Sequence, residues 1–364
     1  MLTDKESEVL ALLAKNPQLS QKELARLLQM TRSSLSVHIN NLTKKGYISG
    51  RGYVLNEPDM VTIIGSANMD IIGFCTDAVV ANDSNPGKVR LCSGGVSRNI
   101  AENLARLQVP VRFITALGDD LYGRQILDEC TALKIDMTSA LVQSAQATST
   151  YMAILDEQGE MALALSDMSI LDTLPLFHLQ SVAALLKRAP IIVMDAGLPS
   201  ELMEYVLTIT KQAKTFLDPV SIGKAKGIKH LVGQFHTLKL NRMEAEYLSG
   251  HKIEGPKDYP LVSKILLDQG VKRVFLTLGA QGVYYTDGEN SGQLVPKPVQ
   301  IVNATGAGDA FMAGVIDGTL KQQSLYETAR FATAMSRLAL TSASTVSPLI
   351  SRENVLRNLE DKQM

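Results

Sequence analysis

The segment IVNATGAGDAF, residues 301–311, has the most specific pattern in the chain, because two glycines and an aspartate precede a helix of small residues. At a helix start, the backbone N–H groups of Gly306, Ala307 and Gly308 would point outward together, and the helix dipole would add to them to form an anion hole. Asp309 would face the same anion, where a carboxylate suits a base that takes a hydroxyl proton better than it suits a phosphate ligand. No P-loop lysine follows. Taken alone, the segment is equally compatible with a tight helix start, since glycine occurs in any strained turn.

The chain around this segment, from residue 60 onward, alternates short apolar strands with helices. Continuous apolar strands with helices between them predict an α/β fold with a mostly parallel sheet that is covered on both faces. Ligands of such sheets bind beyond the carboxyl ends of the strands. A looser alternation around DEQG, residues 156–159, predicts a hairpin. Together with two extended segments upstream it predicts a small separate sheet, or lid, from about residues 70–93 and 145–168.

Polar residues and glycines follow several of the predicted strands, where a ligand would bind. They are Asn68 and Asp70 in GSANMD, Gly94, Gly95 and Asn99 in GGVSRN, Asp218 in DPV, Asn241 and Glu244 in NRMEAEYL, and Thr277, Gly279 and Gly282 in TLGAQG. Each one taken singly is as compatible with a helix cap, a turn or a solvated helix start as with a ligand site. Their order along the chain is the more specific observation.

That order, GG…N, DP, N..E, G..G and TGAGDAF over about residues 60–350, resembles the ribokinase-like, or PfkB, family of carbohydrate and nucleoside kinases. The resemblance implies a three-layer α/β/α domain with a small β lid, and an enzyme that transfers phosphate from ATP to an alcohol group. It also implies that Asp309 is the catalytic base. Gly306, Ala307 and Gly308 would then stabilise charge on the transferred phosphoryl group.

The same resemblance assigns the ligand residues. On the nucleotide side it implies Asn241, Thr277, Gly279 and Gly282, and on the acceptor side Asn68, Asp70, Gly94, Gly95 and Asn99. It implies magnesium, organised mainly through water by Asn241 and Glu244. It further implies a monovalent cation such as potassium near Asn303 and Thr305. The family frequently has an aspartate where Asn303 stands, which weakens the case for direct ligation by that side chain.

Three phrases resemble the pseudouridine kinases of this family: GGVSRNIAENLARL, DMSILDTL at residues 167–174, and DPVSIGKA at residues 218–225. This implies phosphorylation of the 5′-hydroxyl of pseudouridine, with Asp167 and Lys224 shaping the base pocket. The residues alone indicate only a polar, ribose-sized acceptor. A kinase of another sugar or nucleoside is an alternative, and so is a catalytically silent sensor, although a sensor has no need of a base at Asp309. A dinucleotide-binding dehydrogenase is disfavoured because no GxGxxG follows the first strand.

Residues 1–56 have a different pattern, in which three amphipathic helices precede a basic glycine hairpin, residues 47–55. Ser20 and Glu23 form a predicted capping box, and Thr31 is the predicted cap of the third helix. The pattern is that of a winged helix-turn-helix and resembles the DNA-binding domains of bacterial regulators; NEPDM, residues 56–60, is the predicted linker. The bases would be contacted by the start of the third helix, at Arg32, Ser33, Ser34, Ser36 and His38, and the phosphates by Lys44, Lys45 and Arg51.

The charge of the chain supports that interpretation of residues 1–56. This segment has eight Lys and Arg against four Asp and Glu, whereas the formal net charge of the whole chain is −1. Basic charge is therefore concentrated where DNA contact would need it. A winged helix that serves only dimerisation is the alternative. The fusion to a kinase suggests that the substrate controls DNA binding.

The composition limits the remaining classes of protein. A length of 364 residues suggests two domains, which we expect at residues 1–56 and 60–350. The three cysteines are widely spaced and the five histidines are scattered, so we expect neither a disulfide framework nor a zinc site. No apolar run approaches the roughly 20 residues of a membrane span, and we expect a cytoplasmic protein. We also expect a homodimer, because the lid of this family often builds one and helix-turn-helix domains usually bind in pairs.

Overall fold

The protein is described by a computed structural model that covers residues 2–15, 19–48 and 60–360. The chain divides into two compact units, Met1–Asp59 and Met60–Met364. No helix in the described ranges is long and apolar enough to cross a membrane.

The smaller unit contains the three predicted helices, α1 (Asp4–Lys15), α2 (Gln21–Leu27) and α3 (Arg32–Lys44). They pack around a small apolar core that includes Leu13, Leu24, Leu35 and Leu42. The capping box of Ser20 and Glu23 is formed, and the Thr31 side chain accepts a hydrogen bond from the Ser34 N–H, as the sequence predicted. Most of the predicted hairpin, the linker up to residue 59 and Arg51 lie outside the described residues.

Strands and helices alternate through the larger unit, as predicted. Within residues 60–360 the strands are β1 (Val61–Ile64), β2 (Asn68–Cys75), β3 (Gly87–Gly94), β4 (Val111–Ile114), β5 (Ala116–Gly118), β6 (Leu141–Gln143), β7 (Thr150–Leu155), β8 (Met161–Asp167), β9 (Ile191–Asp195), β10 (Lys214–Asp218), β11 (Thr237–Asn241), β12 (Arg273–Thr277), β13 (Val283–Thr286) and β14 (Ser291–Leu294). The helices of this range are α4 (Val96–Arg106), α5 (Leu121–Ala132), α6 (Ser169–Asp172), α7 (Leu176–Ser181), α8 (Ala183–Arg188), α9 (Ser200–Ile209), α10 (Ile222–Ile228), α11 (Arg242–Ser249), α12 (Tyr259–Asp268), α13 (Ala307–Leu320), α14 (Leu325–Leu340) and α15 (Arg352–Glu360).

The main sheet is mostly parallel and lies between two helical layers. Its strand order is β14-β13-β12-β11-β10-β9-β1-β4, and only the β12–β13 and β13–β14 pairs are antiparallel. One apolar core packs α4, α5, α13 and α14 on one face, and a second packs α9 to α12 on the other. The predicted three-layer α/β/α class is confirmed. The polar strand ends come together because parallel strands expose their carboxyl ends at one edge.

The lid is a four-stranded sheet in the order β3-β2-β7-β8. Strand β2 pairs antiparallel with β3 and parallel with β7, and β7 pairs antiparallel with β8. Side chains alternate between its two faces because the period of a strand is two residues. The strands span residues 68–94 and 150–167, close to the ranges expected from the sequence.

A strained turn follows β10 at the carboxyl edge of the main sheet. Val220 has φ +64°, in the left-handed region that a β-branched residue rarely adopts. The Ser221 N–H donates to the Pro219 carbonyl at 2.6 Å, and the Val220 N–H donates to Asp218 Oδ1 at 3.0 Å. A three-residue turn with positive φ is therefore held in place by a buried carboxylate. Such strain is usually retained at functional sites.

We predict that Val220→Gly raises the melting temperature. Relief of the strain is worth about 1–3 kcal/mol. That gain exceeds the roughly 0.5–1 kcal/mol that glycine loses through its greater chain entropy on folding. Val220→Ala is the control, since it keeps a Cβ at the strained φ and should gain nothing. Equal melting temperatures for the glycine and alanine variants in a calorimetric scan would contradict the presence of strain.

Candidate active site

Two cavities meet at the start of α13. The first, of about 1020 Å³, lies between the carboxyl edge of the sheet and the lid, and Asp309 lines it. The second, of about 420 Å³, lies between the β12–β13 turn and α14, and Ala307 and Gly308 line it. The first turn of α13 therefore separates the two spaces, and a group held at that turn could pass from one to the other.

The anion hole predicted from the sequence has the expected backbone. Gly306 has φ +84° and directly precedes α13, and no side chain of the described residues caps this helix. A methyl group on Gly306 would lie 2.0 Å from the Thr345 carbonyl oxygen, so only glycine fits at this position. The uncapped first turn leaves backbone donors available for an anion, and the helix dipole strengthens them.

Asp309 is a buried carboxylate beside that turn. Its side chain accepts a 2.8 Å hydrogen bond from Asn99 Nδ2, which fixes the orientation of the carboxylate. Burial, followed by the neighbouring Asp218, raises the pKa of Asp309 to about 7, while Lys239 and Asn99 oppose the rise. A carboxylate with a pKa near neutral is suited to take a proton from a hydroxyl group. Asn99 lies within α4, so it acts on Asp309 and does not cap its own helix.

Lys239 is the buried cation of this region, and the sequence did not single it out. Its Nζ lies 2.6 Å from Asp218 Oδ2, and a methyl group on Gly308 would lie 3.1 Å from the same Nζ. Burial alone would lower the pKa of Lys239, but Asp218, Glu244 and Asp309 together raise it. Lys239 is therefore charged and lies directly behind the first turn of α13.

The acceptor side begins at β2, where Asn68 Nδ2 donates to Asp70 Oδ1 at 2.6 Å. Both side chains line the first cavity, together with Gly95 and Asn99. Burial raises the pKa of Asp70, and the hydrogen bond from Asn68 opposes that rise. A methyl group on Gly94 would lie 2.4 Å from Asp70 Oδ2, so this glycine leaves room for the carboxylate.

Asp195, at the end of β9, organises the turn between β1 and β2. Its carboxylate accepts hydrogen bonds from Ser66 N and Oγ, Ser97 Oγ and Gly197 N, at 2.6–2.8 Å. It is fully buried and lines the first cavity. Sequence reasoning missed this role. The available signal was an aspartate at the end of a buried strand, as at Asp218.

The lid supplies an apolar and aromatic wall to the first cavity. The lid strands contribute Phe74, Tyr151, Leu155 and Met161. Met168 and Leu171, which follow β8, continue the wall, and the strained Val220 faces the same space. Lys224, at the start of α10, also lines the cavity. Asp167 does not line it. Strand alternation directs Ser166 into the cavity, and the exposed Asp167 accepts hydrogen bonds from Ser169.

The nucleotide-side residues fall into two groups. Thr277, Gly279 and Gly282 line the second cavity. Asn241 and Glu244 line neither cavity, and they form a reciprocal capping box at the start of α11 with both hydrogen bonds at 2.9 Å. Burial and then Asp218 raise the pKa of Glu244. The pair can thus serve both as a helix cap and as the predicted magnesium site, since Glu244 still carries a carboxylate when it caps the helix.

Asn303 and Thr305 line the first cavity ahead of the anion hole. Asn303 Oδ1 accepts a hydrogen bond from the Thr305 N–H at 2.9 Å, and Asn303 Nδ2 donates to the Ala343 carbonyl at 3.4 Å. No cluster of three or more His, Cys, Asp or Glu side chains suited to a metal ion occurs in the described part of the chain.

In the smaller unit, the start of α3 exposes Arg32, Ser33, Ser34 and Ser36, while His38 is half-buried and Lys44 is exposed. Lys45 Nζ lies 2.7 Å from the buried Glu6 carboxylate, so this lysine also ties α3 to α1. Arg32, Ser33, Ser34 and Ser36 are thus accessible at the start of α3, and Lys44 is accessible at its end.

Comparison with known proteins agrees with this geometry. The pfkB family of carbohydrate kinases matches residues 58–352, and the MarR family matches residues 2–51. The chain is 35% identical to the uncharacterised sugar kinase YeiI of Escherichia coli, over 98% of both chains. It is 37% identical to the pseudouridine kinase of Escherichia coli, over 85% of this chain and 99% of that one.

A solved structure has the same fold. It is the ribokinase of Arabidopsis thaliana complexed with ribose and ATP, with a TM-score of 0.74 at 20% identity over 84% of this chain and 99% of that one. Because the MarR family matches residues 2–51, the N-terminal unit is a MarR-type winged helix-turn-helix domain. The larger unit is a phosphotransferase domain, and the chain belongs to the pfkB family of carbohydrate kinases.

Proposed function

We propose that this protein transfers the γ-phosphoryl group of ATP to the 5′-hydroxyl of pseudouridine, and that its N-terminal domain couples that substrate to DNA binding. The observation that carries the proposal is the first turn of α13, with Asp309 facing the first cavity and Gly308 facing the second. The first cavity would hold the acceptor, through Asn68, Asp70 and Asn99. The second would hold the nucleotide. A protein that uses ATP and binds DNA would act in the cytoplasm.

In this mechanism Asp309 takes the proton of the acceptor hydroxyl as the oxygen attacks the γ-phosphorus. The new bond joins that oxygen to phosphorus, and the bond between phosphorus and the β–γ bridging oxygen breaks, which releases ADP. Backbone N–H groups at Gly306–Gly308 stabilise the negative charge on the phosphoryl oxygens during transfer. The buried Lys239 adds a positive charge behind the same turn. Asn99 keeps the base in position through its hydrogen bond.

Magnesium fits the charges around this site. Asp218, Glu244 and Asp309 are buried carboxylates near a single buried ammonium, that of Lys239, among the described residues. Glu244 and Asn241 offer the oxygen atoms that Mg²⁺ prefers and would hold it through water. When bound, the ion would neutralise charge on the ATP phosphates. A monovalent cation would bind near Asn303 and Thr305, where the Asn303 side chain already hydrogen-bonds the loop backbone.

The lid wall supports an acceptor that carries a base. The apolar and aromatic side chains of Phe74, Tyr151 and Met168 lie in the same cavity as the polar Asn68 and Asp70. A free pentose has no planar base that could pack against that wall. The volume of about 1020 Å³ also lies at the upper end of the usual range for small-molecule sites. Lys224 would contact the edge of the base.

We predict that purified protein with magnesium and potassium consumes ATP in the presence of pseudouridine, and not with uridine, ribose or fructose 6-phosphate. The combined polar and apolar wall of the first cavity favours a nucleoside over ribose and fructose 6-phosphate, and the three phrases that resemble pseudouridine kinases favour pseudouridine over uridine. The measurement is coupled ADP release with each acceptor alone. Turnover on another acceptor would support a kinase of a different sugar or nucleoside. Absence of turnover on all four would favour a nucleoside sensor without catalysis.

We predict that Asp309→Asn lowers kcat by about 10²–10⁴, the usual contribution of a positioned base. In the unsubstituted enzyme, kcat/KM should fall as the pH drops through about 7, because protonated Asp309 cannot act as a base. Because burial raises the pKa of Asp309, the folded protein loses stability as the pH rises above 3.8, the ordinary pKa of an aspartate. The variant should therefore melt no lower than the parent protein at pH 8.

Asp268→Asn is the matched control, because Asp268 is exposed and lies outside both cavities. It should leave both the rate and the pH profile unchanged. An Asp309→Asn protein with most of its activity would remove Asp309 from the role of base.

Regulation would require two N-terminal domains, and the outer face of the lid supports a dimer. That face exposes the apolar side chains of Val89, Leu91, Met152, Leu163 and Leu165. The register aligns Leu91, Met152 and Leu165 in one row across the sheet through Ile71. An apolar patch of this kind usually marks an interface, and we propose that a second copy covers it, which sedimentation velocity would test.

We predict that pseudouridine together with ATP changes the affinity of this protein for DNA from its own promoter region. The fusion of a DNA-binding domain to a substrate-binding domain motivates this expectation. A gel-shift titration with and without the ligands measures the effect. Arg32→Ala should weaken binding in both conditions, since Arg32 is exposed at the start of α3. Equal affinity with and without ligands would exclude substrate-linked control.

A further inference from the structure

Arg337 on α14 is a buried cation that the proposed mechanism does not use. Its side chain is 7% exposed, and neither Nε nor Nη1 has a hydrogen-bond acceptor among the described residues. It lines the second cavity. Arginine cannot shed its charge in a protein. The guanidinium therefore remains positive and is poorly solvated in this structure.

The other buried arginines of the described chain are paired. Arg98 donates to Glu102, and Arg112 Nε donates to Asp136 at 2.8 Å. A buried charge is normally retained only with a partner, because its transfer out of water is costly. Arg337 differs from Arg98 and Arg112 in that its partner is not a carboxylate of the described protein.

The second cavity indicates what that partner is. No carboxylate lines it among the described residues, and its two charged residues, Lys297 and Arg337, are both positive. One end of its wall is Gly308, in the anion-hole turn, and the other is the Gly279–Gly282 turn. A ligand in this space would meet an apolar cleft, two cations and backbone donors. This combination fits a nucleotide, which has a planar base and several anionic oxygens.

We propose that Arg337 binds the nucleotide, by donating its Nε and Nη1 hydrogen atoms to acceptor atoms of ATP in the second cavity. This inference rests on the proposed function, in that it takes the second cavity as the ATP site. Arg337 lies outside the motifs that carry the family resemblance, so it adds a contact to those of Thr277, Gly279 and Gly282. Arg337 thus contributes to ATP binding, and Asp309 remains the catalytic base.

The test is Arg337→Met, which replaces the guanidinium by an apolar side chain of similar length. We expect the dissociation constant of ATP, measured by calorimetry, to rise by about tenfold to a hundredfold, as for loss of hydrogen bonds to a charged group. The KM for the acceptor and kcat at saturating ATP should change little. The melting temperature without ligand should stay the same or rise, because an unpaired buried charge has been removed.

Two control variants separate charge from structure. Arg337→Lys keeps the positive charge and should retain part of the ATP affinity. Arg330→Met changes another arginine of α14, which stacks on the Tyr326 ring and lies outside both cavities. It should leave ATP affinity unchanged.

Titration of Arg337→Met with ADP, AMP and adenosine then locates the contact. A loss that persists with adenosine assigns it to the base or ribose, and a loss that needs phosphate assigns it to the phosphates.

Arg337→Met with a lower melting temperature and unchanged ATP affinity would overturn the inference and make Arg337 a structural residue. In that case ATP binding by the unsubstituted protein would leave the proposed function intact. If the unsubstituted protein does not bind ATP at all, the proposed function fails together with this inference.

Discussion

The candidate active site, at the carboxyl edge of the main sheet, depends on the burial of several carboxylates around one lysine. Asp218, Glu244 and Asp309 all act on the charge of Lys239, and together they leave an excess of negative charge in a space with little water. Burial first, and the neighbouring Asp218 second, raise the pKa of Asp309 to about 7. The same arrangement keeps Asp309 protonated below about pH 7. Stability and chemistry are thus set by the same few groups.

The backbone around this cluster is correspondingly constrained. Gly306 must be glycine because the Thr345 carbonyl lies where a side chain would begin. Val220 retains a positive φ at the end of β10, where Asp218 holds its N–H. Asp195 fixes the turn between β1 and β2 by the same means, a buried carboxylate that accepts backbone and hydroxyl donors. Strand-end aspartates therefore serve here as anchors for the loops that line the cavities.

The fold and most of the candidate site could be predicted from the sequence. Apolar strands with helices between them indicate the layered sheet, and the carboxyl-edge rule brings Asn68, Asp70 and Asn99 toward Asp309. Asp167 was expected in the base pocket, but alternation along β8 turns Ser166 inward instead. Lys239 and Arg337 gave no signal, because a cation within a strand or a helix is ordinarily solvated. Only the burial of these two side chains, which the structure shows, distinguishes them from solvated lysines and arginines.

The sequence by itself determined the order of the motifs, the two-domain organisation with basic charge in the first segment, and the glycine-rich start of α13. These features are local, since they depend on periodicity, capping and the conformational freedom of glycine. Tertiary structure decided which face of the lid meets the cavity, which carboxylates share Lys239, and that Nε and Nη1 of Arg337 have no acceptor among the described residues. Those outcomes depend on burial and on distances between residues remote in the chain. Desolvation and Coulomb energies arise only after the chain has packed, so no local pattern encodes them.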